Sequence, residues 1–272
     1  MYYYKGLHLF KRILVLFCLL TLVGMAFADV YLVEPVDKTV KPTDSDALFF
    51  GKVAGGETMN VVIKKKSGTG PEWDSFSVDL SILPQGWGSK IVETDKTLIA
   101  MISIPRNADT STQRIKLTAR NSSEPAFDQS FYATVSVNDS LLDASFENLG
   151  LDAVVGEPAK FALVLNNDSI APHTVSVEST LPSYWFPARA IELAPLETKT
   201  VELDVMPYYY GEKNFSFNVH SALNGKSFSF PAKLSVKPTL AGMYRAGMAG
   251  FPFFSPGTLP YYIISGFLSL FN

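Results

Sequence analysis

Part of this chain is written twice. Gly56-Glu57 returns as Gly156-Glu157, and Leu83-Pro84 with Trp87 returns as Leu181-Pro182 with Trp185. Ile104-Pro105 returns as Met206-Pro207, and Val135-Ser136-Val137 as Leu234-Ser235-Val236. Four landmarks recur in one order at offsets of 98 to 102 residues. Such a repeat has to be settled before single elements are assigned, because it fixes the number and likeness of the folding units.

Within each copy the apolar period is two. Met59, Val61 and Ile63 alternate with Asn60, Val62 and Lys64, and Phe76, Val78, Leu80 and Ile82 alternate with Ser77, Asp79 and Ser81. Ile115, Leu117 and Ala119 continue the pattern. The second copy offers Val201, Leu203 and Val205, then Phe215, Phe217 and Val219. Alternation of this kind marks strands with one face in a core. Turn clusters separate them, among them the stretch 66–71 and Asn224-Gly225-Lys226, a hairpin signal. About seven short strands per copy, with no helical period, predict an all-β fold of two tandem β-sandwiches. The expected boundaries are 29–138 and 151–238, joined by a linker at 139–150.

These landmarks carry a resemblance. Gly-Glu, an alternating strand ending near Asn, Leu-Pro-x-x-Trp, a strand closed by Pro and a final hairpin resemble the immunoglobulin-like domains found in tandem on archaeal and bacterial surface proteins. Among these, the pattern resembles the NPCBM-associated family and, after it, CARDB-like domains. Residues 151–238 carry the pattern best, through Leu163-Val164-Leu165-Asn166-Asn167 and Met206-Pro207. The resemblance implies a spacer, adhesion or accessory module at a cell surface. It implies architecture and no activity.

Residues 1–28 read as a secretory signal. Lys5, Lys11 and Arg12 form a cationic start, Ile13 to Val23 is apolar apart from Cys18 and Thr21, and Ala26-Phe27-Ala28 supplies a cleavage site. The apolar stretch from Ile13 to Ala28 has 16 residues, short of the roughly 20 that a spanning helix needs. Cleavage would remove three of the 23 basic residues, none of the 26 acidic ones and the only Cys, moving the net charge from −3 to −6. An acidic chain is a poor nucleic-acid platform. Without thiols, each domain must be held by burial alone.

Catalytic and metal motifs find no support. His173 and His220 lie far apart in sequence, the first in a predicted loop after Pro172 and the second on the outward phase of a strand. Gly68-Thr69-Gly70 lacks the Gly-Lys-Ser/Thr of a phosphate loop. Asp44 and Asp46, or Asn138, Asp139 and Asp143, lack EF-hand spacing and read as turn residues. No enzyme activity and no cofactor are expected. Tyr208, Tyr209 and Tyr210 follow Pro207. Three in a row cannot all face a core, so one or two are expected to be exposed as binding aromatics. Asn121, Asn138, Asn167 and Asn214 head N-x-Ser/Thr triplets and are candidate glycosylation sites.

After Pro238 the composition changes. Arg245 is the last charged residue, and the 27 residues from Ala246 to Asn272 include Phe251, Phe253, Phe254, Tyr261, Tyr262, Phe267 and Phe271. Pro252, Pro256 and Pro260 exclude one straight helix. Residues 239–272 are therefore expected to be a membrane-associated segment, with short helices near 240–250 and 260–271 and those aromatics in contact with lipid. The expected protein is an exported, non-catalytic surface protein held at the membrane by this segment. A glycan-binding module and an accessory subunit of a larger membrane complex are the alternatives. The leader sets a direct test: peptide mapping of the exported protein is expected to find Asp29 as its first residue, and recovery of residues 1–28 would overturn the leader reading.

Overall fold

The computed structural model describes residues 29–41, 46–66, 72–223, 225–239 and Ile264. The expected leader and nearly all of the C-terminal segment lie outside these residues, including Phe251, Phe253, Phe254, Tyr261, Tyr262, Phe267 and Phe271. Among the described residues no helix is long and apolar enough to cross a membrane.

The first copy builds β1 (Val30–Glu34), β2 (Lys38–Val40), β3 (Leu48–Val53), β4 (Thr58–Lys64), β5 (Ser75–Val78), β6 (Gly88–Glu93), β7 (Thr97–Ser103), β8 (Thr112–Arg120) and β9 (Gln129–Val137). The second builds β10 (Leu142–Phe146), β11 (Gly150–Val154), β12 (Ala159–Asn167), β13 (His173–Ser179), β14 (Arg189–Leu193), β15 (Thr198–Val205), β16 (Gly211–Ser221) and β17 (Ser227–Lys237). In the first sandwich the sheets run β2-β1-β4-β7-β6 and β3-β9-β8-β5. In the second they run β10-β12-β15 and β11-β17-β16-β13-β14. Both copies split their entering strand between sheets. β1 and β10 pair antiparallel with β4 and β12, whereas β3 and β11 cross over to pair in parallel with the last strands, β9 and β17. This strand order makes both units immunoglobulin-like sandwiches.

The inward phases form two cores. Val30, Leu32, Met59, Val61, Ile63, Leu98, Ile102, Ile115 and Leu117 are buried in the first. The second is built on rings: Phe217 stacks on Phe146 at 4.9 Å and meets Phe161, Phe186 and Phe215 edge-on at 5.2, 5.4 and 5.1 Å. Leu203 and Val205 are buried as expected, while Val201 is only half-buried.

The landmarks repeat as backbone geometry. Gly56 and Gly156 take φ of 87° and 79°, a region that L side chains enter at a cost. Their N–H groups donate to Ile104 O at 3.1 Å and Pro207 O at 2.8 Å. In the Leu-Pro turns, Trp87 N–H donates to Pro84 O at 3.1 Å and Trp185 N–H to Pro182 O at 2.8 Å.

Several expectations need correction. The strand begun at Phe76 ends at Val78, because Asp79 starts a turn. The Ile82 and Leu83 N–H groups bond Asp79 O, and the Ser81 hydroxyl and N–H bond its carboxylate, holding that group below the usual carboxylate range. Leu80 and Ile82 are consequently 70% and 38% exposed. The expected linker 139–150 contains β10, whose Leu142 is buried in the second core. The two Trp side chains also differ. Trp185 is buried, whereas Trp87 is half-buried, and the ring filling the first core is Trp73. The strand after each Trp changes sheet as well, since β6 pairs with β7 but β14 pairs with β13. Ile191 and Leu193 of β14 face the core, whereas every residue of β6 is at least partly exposed.

Two substitutions test this packing. Phe217→Ala, at a fully buried ring, is expected to cost about 3–5 kcal/mol in urea unfolding. Gly156→Ala is expected to cost about 1–2 kcal/mol through its positive φ alone. A change below 1 kcal/mol in the former would contradict the assigned strand phase.

Candidate functional site

The loop from Asn167 to His173, joining β12 to β13, leaves the second sandwich and enters the first. Ile170 and Ala171 are buried in the first core cluster. The Ile170 N–H donates to Lys52 O at 2.9 Å. Gly51 admits it: a Cβ there would lie 2.5 Å from Ile170 Cγ2, and its φ of 131° suits glycine alone. The register of β3 against β9 shifts between Phe49 and Gly51, which marks the same spot as a bulge. Asn167 holds the loop in shape. Its amide donates to Ala171 O and Ala194 O at 2.9 Å each, and its Oδ1 accepts from Ser169 N–H at 3.1 Å.

Beside this plug lies a buried polar chain. Glu57, in the Gly-Glu turn of the first sandwich, is 1% exposed. Its Oε2 accepts from Ala54 N–H at 2.7 Å and from the Ser169 hydroxyl. Its Oε1 lies 2.8 Å from His173 Nδ1, and His173 Nε2 lies 2.9 Å from Ser221 Oγ. Leu223 N–H donates to Ser221 Oγ at 3.3 Å. His173 thus bridges Glu57 and Ser221, with one ring nitrogen against each. His173, expected in a loop, is thus the first residue of β13, drawn inside by its partners.

Hydroxyl, imidazole and carboxylate in this order have the connectivity of a nucleophile–base–acid triad. Chemistry also needs a place for substrate. Ser221 is 6% and His173 3% exposed. Neither of the two described surface grooves reaches them. One runs past Thr180, Asn214 and Pro231, and the other past Gly86, Trp87 and Pro105. The arrangement works as a fastening between sandwiches, supported at its rim by Lys52 and Asp168 at 3.0 Å.

Tyr208 is half-buried against the second core, its ring 5.4 Å from that of Tyr184. Tyr209 and Tyr210 are 51% and 43% exposed. Tyr184, which sequence reading did not single out, is 57% exposed. The sequon residues fall in unlike settings. Asn167 is buried with its amide committed, and Asn121 is buried with its carbonyl accepting from Ser123 and Glu124 N–H. Asn138 is half-buried, and Asn214 is exposed on β16. Among the described residues no cluster of His, Cys, Asp and Glu is arranged to hold a metal.

No family model matches the chain, and no curated relative does. Solved structures similar to it include a chimeric titin Z1Z2 functionalised with an exogenous KLER peptide from decorin, at 16% identity, 78% of this chain, 98% of that one and a TM-score of 0.38. Fibronectin(III)-like modules of Clostridium thermocellum CbhA match at 15% identity, 77% and 94% coverage and a TM-score of 0.30. The D00-D0 domain of intimin matches at 12%, 70% and 96%, with a TM-score of 0.28. The immunoglobulin-like assignment rests on strand order and register.

The fastening sets an expectation for coupled unfolding. Glu57→Ala leaves the Ala54 N–H, the Ser169 hydroxyl and His173 Nδ1 without their shared partner, and is expected to cost about 3–5 kcal/mol, since each buried polar group left unpaired costs about 1–3 kcal/mol. Ser169→Ala removes one donor and is expected to cost about 1–3 kcal/mol. Calorimetry is expected to show the Glu57→Ala transition splitting in two as the sandwiches uncouple. A single transition shifted by less than the error would count against the joint.

Proposed function

We propose that the chain is an exported, non-catalytic surface protein of the NPCBM-associated or CARDB-like kind. Its two sandwiches act as a stiff scaffold or adhesion stalk, held at the extracytoplasmic face of the membrane by residues 239–272. The observation that carries this reading is the sealed joint. Glu57 and His173, two of the residues best suited to chemistry, bind one module to the next, and Ser221 is bonded to His173 from within the second. The charge-free aromatic stretch after Arg245 supports attachment. Burying ten of its large side chains would be worth on the order of 15–30 kcal/mol before ordering costs.

A second reading, a glycan-binding module, draws on the exposed rings of Tyr184 and Tyr209. A glycan-array signal lost in Tyr209→Ala would favour it. For the leading reading, a chain truncated after Pro238 is expected to leave the membrane fraction as a soluble protein, while the full chain resists a carbonate wash. Full-length protein released by carbonate, or a truncated form that aggregates, would overturn attachment through this segment.

A further inference from the structure

The repeat puts the same pole of each sandwich to different use. In the first, the pole made by the Gly56 turn and the β7–β8 connection is covered by the second sandwich. Gly56 approaches Leu223, and Glu57 holds Ser169 and His173. In the second, the matching pole is made by the Gly156 turn and the β15–β16 connection, tied by Gly156 N–H to Pro207 O. Glu157 is exposed there, where Glu57 is buried. Where the first copy has Arg106-Asn107-Ala108, this pole carries Tyr208-Tyr209-Tyr210. The adjoining turn adds Tyr184, and the buried Trp185 backs the group with its ring 6.2 Å from that of Tyr209.

The chain leaves the second sandwich at this pole. Gly211, next to Tyr210, lies opposite Val236, and Lys237 ends β17 beside Val154. Residues 239–272 follow, losing all charge after Arg245. A cluster of phenol rings, apolar in the body and polar at the tip, suits the headgroup layer of a bilayer. Its place at the root of an apolar segment would bring it there.

We propose that the tyrosine pole of the second sandwich docks on the lipid–water interface, with Tyr184 and Tyr209 set among the headgroups. The sandwich then stands on the membrane at a fixed tilt instead of swinging on a tether. This proposal rests on membrane attachment through residues 239–272.

The test uses the full protein, isolated from membranes and reconstituted into phosphatidylcholine vesicles. Tyr209→Trp places a reporter at the pole, Tyr184→Trp repeats it on the neighbouring turn, and Ile91→Trp on β6 of the first sandwich is the control. A nitroxide on the lipid headgroup is expected to cut the emission added by Tyr209→Trp and Tyr184→Trp by about twofold or more, and to leave that added by Ile91→Trp unchanged. Protein that floats with vesicles but shows no quenching at either pole position overturns docking and leaves attachment standing. Protein that fails to float overturns both. Emission at the pole that responds to protein concentration or to added glycan, and not to labelled lipid, overturns the proposal in favour of a second copy or a sugar.

Discussion

One carboxylate sits where two folding units meet. Glu57 is removed from water, and a buried charge is tolerated only when its acceptor sites are filled. Among the described residues, its own sandwich supplies one donor, Ala54 N–H. The others, from Ser169 and His173, come from the second sandwich. Separating the units would return Glu57 to water but leave Ser169 and His173 without their carboxylate partner, and would expose Ile170 as well. The relative placement of the modules therefore follows from hydrogen-bond satisfaction as much as from apolar contact.

The repeat shows how one turn serves two ends. Glycine suits both copies of the turn because Gly56 and Gly156 take positive φ. In the first the following Glu is buried in the interface, and in the second it is exposed. Around it the chain is shaped for contact: Gly51 leaves room for Ile170, and Asn167 braces the loop that presents it. A sandwich with a continuous side-chain surface at Gly51 would exclude the plug.

The architecture was legible because its signals are local. Period-two alternation gave most inward faces, and the recurring Gly-Glu and Leu-Pro-x-x-Trp turns exist as matching backbone bonds at Gly56 and Gly156 and at Trp87 and Trp185. Alternation misled at Leu80 and Ile82, where the period runs on past the Asp79 turn that ends the strand. Trp73 carries no such mark, because nothing beside it repeats. The joint was invisible for a different reason. Its bonds connect residues 112 and 116 positions apart, and a glutamate that belongs to a turn motif gives no sign of a distant histidine. The tyrosine run is visible in the sequence, but its neighbour Tyr184 is not marked there, since only folding brings the two turns together.

The parallel pairing of β11 with β17 has a mechanical consequence. Load from the first sandwich enters through β10 and β11, and load from the C-terminal side enters at the end of β17. Because the two strands point the same way, pulling the ends apart slides one along the other. The five register pairs from Gly150↔Lys233 to Val154↔Lys237 are then strained together, in shear, instead of being unzipped one after another. Resistance to such a pull is set by the barrier to breaking that patch at once, not by the equilibrium stability of the sandwich.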